Sequence, residues 1–144
     1  FTKGCPPHDW LFITGGSIGQ GMPLATGAAV ACRDRPVLSL SGDGSAMYTL
    51  QSLWTQAREQ LNVTTVIYAN RSYAILHGEL RNVGAQPGKN TRRLFDLENP
   101  YLNWVEMAAG MGVEGVRVET AEELQQAMNH GFCTPGPYLI EAIC

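Results

Sequence analysis

Residues 36–72, PVLSLSGDGSAMYTLQSLWTQAREQLNVTTVIYANRS, decide the fold. Residues 36–41 are short, apolar and rich in Val and Leu, which reads as a strand, and they run straight into Gly42, Asp43, Gly44 and Ser45. Beyond that turn Met47, Leu50, Leu53, Trp54, Ala57 and Leu61 recur at three- and four-residue steps. This spacing predicts an amphipathic helix with Ser45 as its N-cap and Trp54 in the core. Val63–Ala69 is then a nearly continuous apolar run, the pattern of a strand buried on both faces of a parallel sheet, and it stops at Asn70, Arg71 and Ser72. A strand, a helix and a second strand bring the two strand ends side by side, which is where open parallel sheets bind ligands.

The flanking sequence extends the same alternation. Residues 20–32 are small and apolar, with Ala25, Ala28, Ala29 and Ala31, and suit a helix packed closely on a neighbour, with Pro23 tolerable only in the first turn. Residues 82–99 hold Gly, Pro, Asn and Arg without a clear period and read mostly as a loop able to act as a lid. Asn99-Pro100 is expected to open a helix with Pro at its first position. Thr120 and Glu123 form a capping-box pattern for a helix from 121 to about 130. Residues 113–118 and Tyr138–Ile143 complete the strands. The expected class is α/β, an open, mainly parallel sheet with helices on both faces, in a single domain spanning residues 1–144.

The 144 residues are 44% hydrophobic and 16% charged, enough for one buried core and unlike a disordered chain. A net charge of -3 with no basic run argues against nucleic acid. Neither a signal-peptide pattern nor an apolar run of about 18 residues argues for a membrane. Cys5, Cys32, Cys133 and Cys144 are far apart and read as reduced, as in a cytoplasmic protein. The chain opens on Phe1 rather than Met, so a piece of something longer is expected.

The chemistry lies at the two turns. Gly42 and Gly44 let backbone approach a ligand, and the amides at Ser45 attract an anion such as a diphosphate. Asp43 repels that anion unless a hard cation sits between them, most simply Mg²⁺. The Asn70 amide oxygen and the Ser72 carbonyl supply further oxygen ligands. Gly-Asp-Gly alone is as often a surface turn. The 25 residues between Gly44 and Asn70, enough for one helix and one strand, are what bring Asn70 back beside Asp43.

This pattern resembles the binding motif of thiamine-diphosphate-dependent enzymes. Residues 42–76, GDGSAMYTLQSLWTQAREQLNVTTVIYANRSYAIL, are most similar to the C-terminal diphosphate-binding domain of the acetolactate synthase and benzoylformate decarboxylase group. Upstream, TGGSIGQGMPLATGAAVA (14–31) resembles the glycine-rich cofactor segment of that group. The resemblance implies thiamine diphosphate and Mg²⁺ as cofactors and leaves FAD open. It implies Asp43, Asn70 and Ser72 as metal ligands. The cofactor contacts it implies are Gly16, Ser17, Ile18, Gly42, Asp43, Gly44, Ser45, Asn70, Ser72, Tyr73 and Ala74. Among these, the Gly16 carbonyl accepts from the cofactor's 4'-amino group and Ile18 props the cofactor into a bent form.

The group's activating Glu belongs to a companion domain supplied across a subunit interface, so no catalytic residue is assigned on this chain and a homodimer or homotetramer is implied. The implied reaction is decarboxylation or carboligation of a 2-oxo acid, acetolactate-synthase-like. The alternatives are a benzoylformate-type decarboxylase and a catalytically silent cofactor-binding or assembly domain. Ala69 stands where many relatives carry a first Asn, and residues 74–84, AILHGELRNVG, lack the Trp-containing pattern of biosynthetic acetolactate synthases.

Outside that pattern the bland readings dominate. The spacing from Gly15 to Gly21 is not that of a dinucleotide loop. His8, His77 and His130 stand alone, Glu79 reads as a solvated charge, and Trp10 and Trp104 suit either a core or an interface.

Overall fold

The computed structural model describes residues 4–144; the first three residues of the expected domain lie outside the described residues. Four strands, β1 (Val37–Gly42), β2 (Val63–Ala69), β3 (Glu114–Val118) and β4 (Tyr138–Ile143), form one sheet in the order β1-β2-β4-β3, and every pairing is parallel. The α/β class expected from the sequence is what the chain adopts.

The side of the sheet taken by each helix follows from the right-handed rule for parallel crossovers. The connections β1 to β2 and β2 to β3 step in one direction, so α3 (Ser52–Arg58) and α6 (Trp104–Gly110) lie on the same face as α1 (Gly21–Ala31). Their core joins Met22, Leu53, Ile67, Trp104 and Leu139. The β3 to β4 connection steps back, and α7 (Ala121–Cys133) covers the opposite face through Ala127, against Val66, Val118 and Ile140. Thr120 and Glu123 close the expected capping box at its start. Only α7 covers this face among the described residues, and Leu38 and Leu40 of β1 stay exposed.

Three expectations are corrected and a fourth is refined. Ser45 is not an N-cap: a short helix α2 (Asp43–Ala46) begins directly after Gly42, and turns at residues 47–51 separate it from α3. That break resets the helical phase. Leu53 and Gln56 turn inward, whereas Trp54 is 53% exposed with Arg58 over its ring instead of lying in the core. Residues 82–99 are more than half turn and loop, as expected, but they also hold the end of α4 (Ala74–Asn82) and the whole of α5 (Lys89–Phe95). Both helices are short and bury no residue fully, so they left no strong period in the sequence. Pro100 does not start a helix: Asn103 caps α6, its side chain accepting from the Glu106 amide. Trp104, one residue on, is fully buried, which settles it as core.

Candidate functional site

Strand register brings the two motifs together. Gly42 pairs with Tyr68, so Asp43 leaves β1 beside the point where Asn70 leaves β2. Asp43 is only 3% exposed. Its Oδ1 accepts from the Gly44 amide at 2.8 Å, and its Oδ2 accepts from the Arg71 amide at 2.7 Å. Each oxygen keeps capacity for one more partner. Asn70 is exposed, and its Oδ1 accepts from the Ser72 amide at 3.0 Å, which tightens the turn. The Gly44 amide is committed to Asp43. The Ser45 amide has no protein acceptor among the described residues.

Gly44 is required for packing. A Cβ there would lie 2.6 Å from the Tyr73 ring, so the second turn closes against the first only because residue 44 has no side chain. The second turn is also pinned from the far side. Tyr73 N donates to the Phe95 carbonyl at 2.8 Å, and Leu97 N donates to the Arg71 carbonyl at 2.9 Å. Ser72 Oγ donates to the Phe95 carbonyl at 3.2 Å. His77 packs edge-on against Phe95, which gives it a structural partner.

The glycine-rich segment approaches from the other side. Thr49 Oγ1 donates to the Gly19 carbonyl at 2.7 Å. Gly19 has φ +88, and a Cβ on it would meet the Tyr48 Cβ at 2.6 Å. This contact sets Ile18 at the rim of a cleft of about 570 Å³, a size suited to a small molecule or cofactor. The cleft brings together Ile18, Gly42, Asp43, Gly44, Ser45, Asn70, Ser72, Tyr73 and Ala74. Gly16 and Ser17 do not line it; they lie in the exposed turn just before Ile18.

Sequence reasoning missed Tyr48, Leu94 and Phe95, which also line the cleft. Tyr48 was masked by the assumption of one unbroken helix, and the other two by the reading of 82–99 as loop. Ile75 and Leu76 complete an apolar wall.

A buried carboxylate with spare acceptor capacity, beside an amide oxygen and an unclaimed backbone donor, fits a hard cation holding a phosphorylated ligand. Among the described residues no three His, Cys, Asp or Glu side chains gather, so a metal here relies on Asp43 with neutral oxygens and the ligand's own. Fold and cleft thus define a parallel α/β domain of the kind that binds a cofactor at its strand ends. The family comparison makes this specific. The model for the thiamine pyrophosphate enzyme, C-terminal TPP binding domain, matches residues 2–142, and the chain belongs to that family.

The chain is 54% identical over 144 residues to the "Putative acetolactate synthase large subunit IlvX" of Mycobacterium tuberculosis, covering 99% of this chain and 28% of that protein. It is 34% identical over 137 residues to benzoylformate decarboxylase of Pseudomonas aeruginosa, covering 94% and 24%. Among solved structures it superimposes on the thiamine diphosphate-dependent 4-hydroxybenzoylformate decarboxylase of Rhodococcus jostii RHA1 with a TM-score of 0.75 and 37% identity, covering 86% and 22%. The chain thus spans less than a third of the length of these relatives.

Ile18 is 54% exposed in the cleft rim, so its truncation removes little core packing. Ile18→Ala is expected to lower turnover of the complete enzyme by about 10- to 100-fold, as misplacement of a reacting group does, with thiamine diphosphate affinity nearly unchanged. Steady-state kinetics alongside a cofactor titration check this; normal turnover would remove Ile18 from the cofactor site.

Proposed function

We propose that this chain is the cofactor-anchoring domain, residues 1–144, of a longer enzyme that decarboxylates or joins 2-oxo acids with thiamine diphosphate and Mg²⁺, acetolactate-synthase-like. The observation that carries this is the buried Asp43 carboxylate, set beside Asn70 by the β1–β2 register and facing a cofactor-sized cleft. When bound, thiamine diphosphate supplies a carbon nucleophile and an electron sink.

Asp43, Asn70 and the Ser72 carbonyl would hold the metal, which would supply positive charge against the diphosphate, while Gly42, Gly44 and the Ser45 amide would let the phosphates approach. Ile18, Tyr73 and Ala74 would contact the cofactor from the cleft lining, and Gly16 and Ser17, in the exposed turn leading to Ile18, would reach its aminopyrimidine end from outside that lining. The activating Glu comes from a companion domain. In support, no Glu or His lines the cleft among the described residues.

Benzoylformate-type decarboxylation is a second reading. It is favoured by the apolar wall of Ile75, Leu76, Leu94 and Phe95, which suits an aromatic acid. Product analysis with pyruvate and with benzoylformate separates the two. Exposed Trp10, Phe12, Leu38, Leu40 and Tyr68 support burial against companion domains or subunits in a homodimer or homotetramer. The four cysteines are free and exposed, which fits a reducing cytoplasmic setting. Among the described residues no helix is long and apolar enough to cross a membrane.

The test is calorimetric titration of the protein with thiamine diphosphate, with and without Mg²⁺. Tight binding that requires Mg²⁺ supports the reading, and a failure to bind the cofactor in either condition contradicts it.

A further inference from the structure

The Asn70–Ser72 turn is backed by a side-chain cluster that no motif marks. Glu141 on β4 is fully buried, on the same face as Leu139. Its Oε2 accepts from Arg117 Nε at 3.2 Å, and its Oε1 accepts from the Tyr101 hydroxyl, to which Arg117 also donates. A buried carboxylate needs such partners to be tolerated. Burial, and then the neighbouring Glu141 carboxylate, push the Tyr101 phenol above its usual range, which keeps its proton available for donation.

The ion pair accounts for Glu141 and Arg117. Arg71 accounts for Tyr101. The Arg71 guanidinium lies 4.9 Å from the centroid of the Tyr101 ring, and its Nε is buried with no hydrogen-bond acceptor among the described residues. The ring therefore provides the contact that holds this side chain. The Arg71 backbone has φ +57, a left-handed conformation that a residue with a Cβ adopts only under constraint. In that conformation its amide donates to Asp43 Oδ2. One residue thus joins the acid of the cofactor site to the cluster behind it.

We infer that Tyr101, fixed by Glu141 and Arg117, is a positioning residue that clamps Arg71 in its left-handed conformation and thereby sets the metal affinity of the Asp43–Asn70 site. This rests on the proposed metal role of that site. Tyr101 touches neither the cleft nor its ligand directly; it acts through the Arg71 amide and the placement of Asn70.

The experiment measures, in the full-length protein that carries this chain, the Mg²⁺ concentration that half-saturates thiamine diphosphate binding. The variants are Tyr101→Ala, Tyr101→Phe, Arg71→Gly and the combinations of each Tyr101 change with Arg71→Gly. Glycine adopts the left-handed conformation without strain, so Arg71→Gly removes both the need for a clamp and the group it grips.

Tyr101→Ala is expected to raise half-saturating Mg²⁺ about five- to tenfold when Arg71 is present, and by under about twofold in the Arg71→Gly background. Tyr101→Phe keeps the ring but loses its tether, and its effect is expected to fall between. An equal effect of Tyr101→Ala in both backgrounds would mean that Tyr101 acts by packing alone and would overturn the clamp. Should Tyr101→Ala fail to fold by circular dichroism, Tyr101→Phe decides the matter by the same comparison. A parent protein whose cofactor binding ignores Mg²⁺ would overturn the clamp and the metal site together, whereas Mg²⁺-dependent binding without the coupling overturns the clamp alone.

Discussion

Asp43→Ala is expected to abolish the Mg²⁺ dependence of thiamine diphosphate binding, lowering affinity at saturating Mg²⁺ by about a hundredfold, while circular dichroism keeps its α/β signature. The residue lies beyond the last β1–β2 pair, Gly42 with Tyr68, so the sheet does not depend on it. The cost to stability is local. The amides of Gly44 and Arg71 lose their acceptor, a loss of roughly 1–3 kcal/mol that water entering the turn reduces. Calorimetry with and without Mg²⁺ reads the binding effect and urea unfolding reads the stability. Unchanged affinity in a folded variant would remove Asp43 from the metal site.

The second large effect concerns a division of labour. Deuterium exchange at the thiazolium carbon is expected to stay slow on this chain mixed with cofactor and Mg²⁺, and to quicken by about 10²- to 10⁴-fold when the companion domain is added, the range a positioned acid–base group contributes. The cleft lining holds Asp43 and two tyrosines and, among the described residues, neither Glu nor His, and with Asp43 engaged by the Gly44 and Arg71 amides the chain alone is expected not to activate the cofactor. NMR of the cofactor follows the exchange directly. Fast exchange on the chain alone would contradict the split site and send the search for a base to His77 and Glu79. His77 is packed edge-on against Phe95, which makes Glu79 the freer of the two.

What was legible in the sequence followed from burial. Val63–Ala69 is the central β2, buried at every position except Tyr68, and only a run of apolar residues with threonines satisfies both faces. Tyr138–Ile143 read equally well as β4 because it too lies inside the sheet. The turns after β1 and β2 were legible because Gly42-Asp43-Gly44 and Asn70-Arg71-Ser72 each end an apolar run, but the demand on Gly44 is close packing against Tyr73, which the sequence did not reveal. Where burial was partial the reading failed. Trp54 was placed in the core by a periodicity that the break at residues 47–51 interrupts. α4 and α5 bury no residue fully, so the wall formed by Leu94 and Phe95 carried no pattern. The Glu141–Tyr101–Arg117 cluster was invisible for another reason: its members are 16 to 40 residues apart, with Arg117 and Glu141 paired by the β3–β4 register and Tyr101 brought to them by the segment before α6.

The most direct measurement is anomalous diffraction from crystals of the protein grown with thiamine diphosphate and Mn²⁺ in place of Mg²⁺. A metal peak within coordination distance of Asp43 and Asn70 oxygens, with the diphosphate against Gly44 and Ser45, is the expected result. A cofactor bound with its metal elsewhere, or a diphosphate placed outside the cleft, would contradict the assignment of these two turns as the cofactor anchor.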